Sequence, residues 1–300
     1  MPSQIDTALV KAYRANIEIQ FQQKISKLRP FVRVESQKAE FEFYDRIGPT
    51  VAKKVTDRHG NTVYSDTPHS RRRVGMEDYD WAELVDRPDK LRMLADPTSP
   101  YVQNAVMALN RAIDIVLVGA ALSNAYTGKD GNTAVAYPTA TNEVAVNYVE
   151  SGGATNSNLN MAKLRRVRTL FDLDEAAEDD DAQIICALTA YQMQSLLRLT
   201  EVTSADYNTV RALVNGTVDT FMGIKFIKMA PSYLVKTGNN RQIVFFTRQG
   251  LLLAMGEEIQ VIVGPNPERR NNTQLYVCGS FGASRMWEEK VRTVLCDETA

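Results

Sequence analysis

Histidine is nearly absent from this 300-residue chain: only His59 and His69 occur, both in a polar stretch. That removes the usual general base, so neither a Ser-His-Asp nor a Cys-His arrangement is expected. Cysteine is equally scarce. Cys186, Cys278 and Cys296 are too scattered for a disulfide framework or a CxxC metal site, and their odd number predicts reduced thiols and a cytosolic origin. Charge of one sign is missing as well. With 35 Lys plus Arg against 36 Asp plus Glu, the formal charge of -1 excludes a strongly cationic nucleic-acid binder. Uncharged runs such as Ile115 to Gly128 fall short of the roughly 20 residues a membrane span needs, so no membrane association is expected. The opening MPSQIDTALVKAYRAN has Asp6 ahead of any apolar stretch and no signal-peptide core.

What is present is a globular composition, 44% hydrophobic and 24% charged, with 16 Gly and 11 Pro. The length admits about two domains or one multi-lobed subunit. Ile5, Leu9, Ala12, Ile17, Phe21, Ile25 and Leu28 recur at an approximate helical period and predict an amphipathic arm ending at Pro30. The following VRVESQKAEFEFYDRI predicts a long strand that presents Phe41 and Phe43 on one face and closes at Gly48-Pro49.

Residues 51–73 read as two short polar strands around the turn Arg58-His59-Gly60-Asn61. Backbone order costs roughly 1 to 2 kcal/mol per residue, and a few Val and Tyr side chains cannot supply that. An isolated hairpin of this kind is marginal in water. It is therefore either a mobile flap or a segment ordered by a neighbour. Its charge is uneven. Lys53, Lys54, Arg58, Arg71, Arg72 and Arg73 face only two acids, whereas Glu77, Asp78, Asp80, Glu83, Asp86 and Asp89 then face only Arg87. Blocks of opposite sign either fold on each other or pair one copy with the next, and the second arrangement makes a self-assembling module.

Beyond Asp96-Pro97, Ser99 as cap and Pro100 as first residue predict a helix to Thr127, stopped by Gly128. Its stripe is Val102, Val106, Leu109, Ile113, Val116 and Ala120, with Arg111 and Asp114 on other faces. Residues 129–158 read as short strands and loops. A helix follows over MAKLRRVRTLFDLDEAA, capped by Asn158 or Asn160, and then the solvated run Glu178 to Asp181. A buried strand QIICALT, helices near Tyr191–Leu199 and Ala205–Val214, and strands GTVDTFMGIKFIKM, RQIVFFTR, EIQVIVG and TQLYVCGSFGASRMWEEKVRTVL complete an α+β chain.

Neither a phosphate loop nor a metal shell is legible. Gly128-Lys129-Asp130-Gly131 lacks the spacing of a phosphate-binding loop, and Gly279 and Gly282 sit in a strand pattern as structural glycines. The clusters Arg71 to Arg73, Arg165-Arg166-Arg168 and Arg269-Arg270 have no aromatic residues interleaved in sequence, so intersubunit salt bridges are their expected use. A soluble enzyme with a mobile lid at 51–73 is the alternative of another class, and it needs an acid-base pair that these residues do not offer.

The order of parts, arm, polar hairpin, acidic connection, long helix and mixed remainder, resembles the major capsid protein of tailed bacteriophages. The resemblance is carried by Leu94-Ala95-Asp96-Pro97, by AVMALNRAIDIVLVGAALSNAYTG, by Gly250 to Ala254 and by Gly279 to Arg285. It implies an N-terminal arm over 1–30, a strand and extended loop over 31–80, and a peripheral domain over 81–182 with a spine helix over 100–127. It further implies an axial domain over 183–262 and C-terminal strands over 263–300 that return to the peripheral domain. It also implies pentamers and hexamers enclosing double-stranded DNA in a virion assembled in the host cytoplasm, with an encapsulin-like compartment as the alternative sharing the fold. A separate scaffolding protein, a portal and a decoration protein are implied partners, and no cofactor or metal is. The expected intersubunit contacts are Lys53, Lys54, Arg58, His59, Asn61, Arg71, Arg72, Arg73, Glu77, Asp78 and Asp80.

Overall fold

Two compact units make up the chain, the larger formed by residues 26–77, 113–256 and 281–300, the smaller by 1–25, 78–112 and 257–280. The computed structural model describes residues 22–56, 58, 60–62, 64–86, 98–150, 155–177, 183–199 and 220–299. The expected arm up to residue 21, the Leu94 to Pro97 approach, the run Glu178 to Asp181 and the helix at Ala205–Val214 lie outside these residues, as do His59 and Asp89.

The larger unit is centred on a sheet ordered β7 (Glu143–Val144), β15 (Val291–Asp297), β12 (Asn240–Phe246), β8 (Ile184–Leu188), β10 (Ile224–Lys228), β9 (Thr220–Phe221), with β11 (Lys236–Thr237) on β12. Strand β8, the predicted QIICALT, is buried along its whole length. It pairs parallel to β10 from Ile184↔Ile224 to Leu188↔Lys228. A continuous apolar run is what a strand covered on both faces requires. Helix α2 (Thr139–Asn142) is a single turn before β7, and helix α3 (Met161–Leu173) packs against β15 and buries Leu164, Val167 and Phe171 at steps of three and four. Of its two predicted caps, Asn160 is the one used, accepting from the Lys163 backbone N–H. Helix α4 (Ala190–Leu197) begins with a capping box between Thr189 and Gln192.

The long helix α1 covers Thr98–Leu122, roughly 37 Å at 1.5 Å per residue. It begins two residues before the expected Pro100, and it stops five short of Thr127. Ser123 and Asn124 are poor helix formers, and Ala125–Thr127 instead form strand β5, which pairs Tyr126 with Arg73 and Thr127 with Arg72. The buried stripe of α1, namely Ala105, Leu109, Ile113, Leu117 and Ala121, lies beside the predicted one. Asp114, expected on a polar face, is fully buried. Its carboxylate accepts from Ser26 Oγ at 2.6 Å and from the backbone N–H groups of Lys27 and Leu28 at 3.0 and 3.1 Å. Those donors make the buried charge tolerable. The second half of α1 is not enclosed all round, since Ile115 is exposed. Although α1 is long and apolar enough to cross a membrane, its buried face and buried carboxylate are those of a core helix.

A second sheet of the larger unit is ordered β2 (Phe41–Ile47), β3 (His69–Gly75), β5, β6 (Thr133–Val135). The hairpin strands match the predicted segment only in part: β2 lies wholly before it, and β3 takes its last five residues, 69–73, and runs on to Gly75. The described residues between Ile47 and His69 form no strand. The described residues of 51–68 form a loop, and the ladder is built by the alternating residues of β2 against His69 to Gly75, the polar end of the predicted segment and two residues beyond it. The Gly128-Lys129-Asp130-Gly131 stretch is the turn between β5 and β6, and a Cβ on Gly131 (φ +65°) would lie 2.6 Å from Arg73 Cδ.

A third sheet is ordered β1 (Arg33–Ser36), β13 (Leu251–Asn266), β14 (Asn272–Arg285), β4 (Glu77–Val85). Strand β13 starts earlier than expected, with the buried run Leu251 to Met255, where β1 pairs in parallel from Arg33↔Leu252. In the smaller unit, Ser280 Oγ donates to Asp78 and Asn272 Nδ2 donates to Asp86. Asn110 Nδ2 donates to the Lys24 carbonyl at 3.1 Å, tying the described end of the arm to α1.

Candidate assembly interface

Period-two alternation in FEFYDRI divides the hairpin into two faces. Glu42, Tyr44 and Arg46 point inward with Arg72 and Val74, while Phe41, Phe43, Asp45 and Ile47 point outward with Arg71 and Arg73. Inward, Val74 joins Leu252, Ala254 and Met286 in a small core against which Tyr44 and Trp287 pack. Burial pushes the Tyr44 hydroxyl up to about 12, further raised by Glu42.

The outward face is a ladder of aromatics and guanidinium groups. Arg73 lies 4.7 Å over Phe41 and 4.9 Å over Tyr126, and Arg71 lies 5.7 Å over Phe43 while pairing with Asp45 at 3.1 Å. The basic run has no aromatic neighbours along the chain, but register supplies them across the strands, Phe43↔Arg73↔Tyr126. Period two in the sequence was the available signal for Phe41 and Phe43. Tyr126 was hidden because it was read as helical. A groove of about 650 Å³ adjoins this face, lined by Asp45, His69, Ser70, Arg71, Thr127, Gly128 and Lys129.

Among the predicted contact residues, Lys53, Lys54, Arg58 and Asn61 are exposed on the loop, with Lys53 Nζ donating to the Tyr64 carbonyl at 3.1 Å. Val51, Val55 and Tyr64 beside them are 84, 83 and 86% exposed. Arg71 and Arg73 are half-buried on the outward face, and Glu77, Asp78 and Asp80 are exposed along β4. Arg72 is the correction. At 1% exposure its side chain faces inward and pairs with Glu288 of its own chain, because strand alternation sends the middle arginine of three to the opposite face.

Chemistry of other kinds is sparse. Among the described residues no three His, Cys, Asp or Glu side chains gather to hold a metal. Cys186 and Cys296 are buried, and burial pushes the Cys296 thiol up to about 12. Lys163 is buried in the larger unit, its ammonium donating to the Ser157 and Leu295 carbonyls at 2.6 and 2.9 Å, and burial lowers its pKa. Each of these groups is engaged within the fold.

Comparison with known proteins places this geometry. No curated protein matches the chain. Solved structures do. The capsid of cyanophage P-SCSP1u has a TM-score of 0.73 at 13% identity, covering 97% of this chain and 94% of that one. The capsid of cyanophage Pam1 gives 0.70 at 12% over 97% of each, and the head of Helicobacter pylori bacteriophage KHP40 gives 0.70 at 11% over 97% and 96%. At such identities the likeness establishes a shared fold. The sequence model of the family described as phage capsid protein matches residues 5–298, essentially the whole length, and this chain accordingly belongs to that family, as a structural protein of the virion shell.

Proposed function

We propose that this chain is the major shell subunit of a tailed phage, assembling through heterologous contacts into rings of five and six that close around double-stranded DNA. The role is structural and calls for no catalysis. The hairpin loop 48–68 docks on an adjacent copy, with Lys53, Lys54, Arg58, Asn61, Arg71 and Arg73 meeting acidic surface such as Glu77, Asp78 and Asp80. A separate scaffolding protein, a portal and a decoration protein are the further partners this reading calls for, and the DNA is enclosed without sequence-specific binding.

The supporting observation is the exposure of Val51, Val55 and Tyr64, each above 80%, in a segment that forms no strand. The eighteen described residues of 48–68, with this little burial, do not offset roughly 1 to 2 kcal/mol of ordering entropy each, so their order comes from a neighbour. Near-neutral net charge fits a dense shell, because copies of one sign would repel on closure.

Deleting Lys53–Asp66 tests the reading. The deletion leaves the melting transition of the subunit close to that of the intact chain, while electron microscopy finds closed particles only for the intact chain. Normal particles from the deleted chain would remove the loop from assembly, and a collapse of the melting transition would show that it belongs to the core.

A further inference from the structure

Where the hairpin strands meet the C-terminal segment, three arginines converge on one carboxylate. Arg46 of β2 lies 3.6 Å from Glu288 and stacks 4.8 Å over Trp287, and its guanidinium also donates to the Met286 carbonyl. Arg72 of β3 pairs with the same carboxylate and reaches the Met286 carbonyl at 3.5 Å. Arg285 of β14 approaches it at 3.7 Å. Arg285 also donates to the carbonyls of Ala121 and Ser123 at 2.9 Å and of Val135 at 3.1 Å, so it closes the C-terminus of α1 and holds β6. One carboxylate thus joins β2, β3, the end of α1 and β6.

The cluster is short of negative charge. Arg46 Nε, Arg72 Nη1 and Arg285 Nε are buried without a hydrogen bond. Arg46 also lies in the field of the exposed Glu289, and Arg285 in that of the buried Tyr137 hydroxyl. Burial lowers the pKa of both Arg46 and Arg285. Within its sheet the hairpin pairs with β5 over Arg72↔Thr127 and Arg73↔Tyr126, and its inward face leans on the small core of Val74, Leu252, Ala254 and Met286. Beside the cluster the backbones nearly touch: a Cβ on Gly282 would lie 1.9 Å from the Gly75 carbonyl oxygen.

We infer that Glu288 is a positioning residue whose carboxylate clasps Arg46 and Arg72 to the 286–288 segment and thereby sets the direction in which the hairpin projects from the rest of the larger unit. Without that charge, three guanidinium groups in close array repel, and the Met286 carbonyl that Arg46 and Arg72 share carries no compensating charge. The relief open to them is for β2 and β3 to swing away from residues 286–288. The consequence for assembly rests on the capsid reading above; the clasp itself does not.

Spin labels at Ile47→Cys, at the exposed end of β2, and Glu175→Cys, both in the larger unit, in a Cys278→Ser background with labelled chains diluted in unlabelled chain, report the hairpin direction by pulsed dipolar spectroscopy. The intact chain gives one narrow distance. Glu288→Gln shifts or broadens it, Glu288→Asp lies closer to the intact chain, and Val167→Ala, a core truncation in α3, lowers the melting temperature without moving the peak. Arg46→Gln, which removes the least buried of the three spokes, moves the peak in the same sense and serves if Glu288→Gln does not fold. An unmoved peak in the folded variants, or an equal movement in Val167→Ala, overturns the clasp whether or not particles form. A moved peak in a chain that still closes normal particles leaves the clasp standing and removes its role in assembly.

Discussion

Strands β12 and β2 are both seven residues long, and each runs antiparallel to one partner over seven register pairs, from Asn240↔Asp297 to Phe246↔Val291 in one case and from Phe41↔Gly75 to Ile47↔His69 in the other. Their backbones are bonded alike, but their side chains are not treated alike. Ile243 to Phe246 are buried without interruption, because β12 has β8 on its other side and layers over both faces. Strand β2 is an edge strand whose outward residues Phe41, Phe43 and Ile47 stand in solvent. Ladder hydrogen bonds therefore do not separate the self-sufficient region from the dependent one, since each such bond nets only about 1 kcal/mol. Burial does. An exposed aromatic edge strand is also a liability that soluble monomers avoid, which fits a surface destined for coverage.

The largest effect that sharpens this contrast is a pair of matched truncations. Phe245→Ala in β12 costs about 3 to 5 kcal/mol of unfolding free energy, as a cavity in a closed core does. Phe43→Ala in β2 costs the isolated subunit under about 1 kcal/mol, as a change at a partly exposed site does. Urea titration of the two variants measures both. Equal losses would break the comparison, because they would place β2 in a core of its own.

That difference also explains what the sequence disclosed. The buried strand QIICALT, the α3 stripe and the capping asparagine were legible because hydrophobic period and cap chemistry act locally. Arg72 was not, for its inward direction depends on the register of β3 against β2, a non-local fact. Asp114 was misplaced for a related reason: the donors that make its burial tolerable come from Ser26 to Leu28, more than 80 residues away in sequence. The end of α1 was set by a strand pairing as much as by propensity, and Tyr126 went with it. Of the proposed assembly surface, the basic loop residues were readable from composition, whereas the aromatic ladder and the Glu288 clasp exist only after β2, β3 and β14 are brought together.

A smaller effect probes how the large sheet is closed at its end. Burial pushes the Glu298 carboxyl up, but hydrogen bonds from Arg241, Lys236 and Gln192 together outweigh it and hold the group at about 2 against its ordinary 4.5. A depressed carboxyl contributes stability that is complete above the unfolded value and is lost as pH falls towards the folded one. The intact chain therefore loses on the order of 2 to 3 kcal/mol from this group between pH 4.5 and 2. Glu298→Gln is weaker by a similar amount at neutral pH and flatter across that window in chemical denaturation. The same slope in both chains would move the acid sensitivity elsewhere.

The smallest effect belongs to the outward arginines, and its value lies in which property it changes. Arg71 and Arg73 each lie over an exposed ring, and Arg71 also pairs with Asp45. Exposed pairs and cation–π contacts of this kind contribute about 1 kcal/mol or less, so replacing both by Ala scarcely alters the melting of the subunit. Assembly is a different quantity. If these guanidinium groups face acids of a neighbouring copy, salt weakens that attraction over a screening length of about 8 to 10 Å, and the double variant assembles with less dependence on ionic strength than the intact chain. Light scattering across a salt series reads the slope. An unchanged slope with unchanged melting would mean that β2 and β3 turn their ladder towards something other than charge, and the contrast with β12 would then rest on apolar coverage alone.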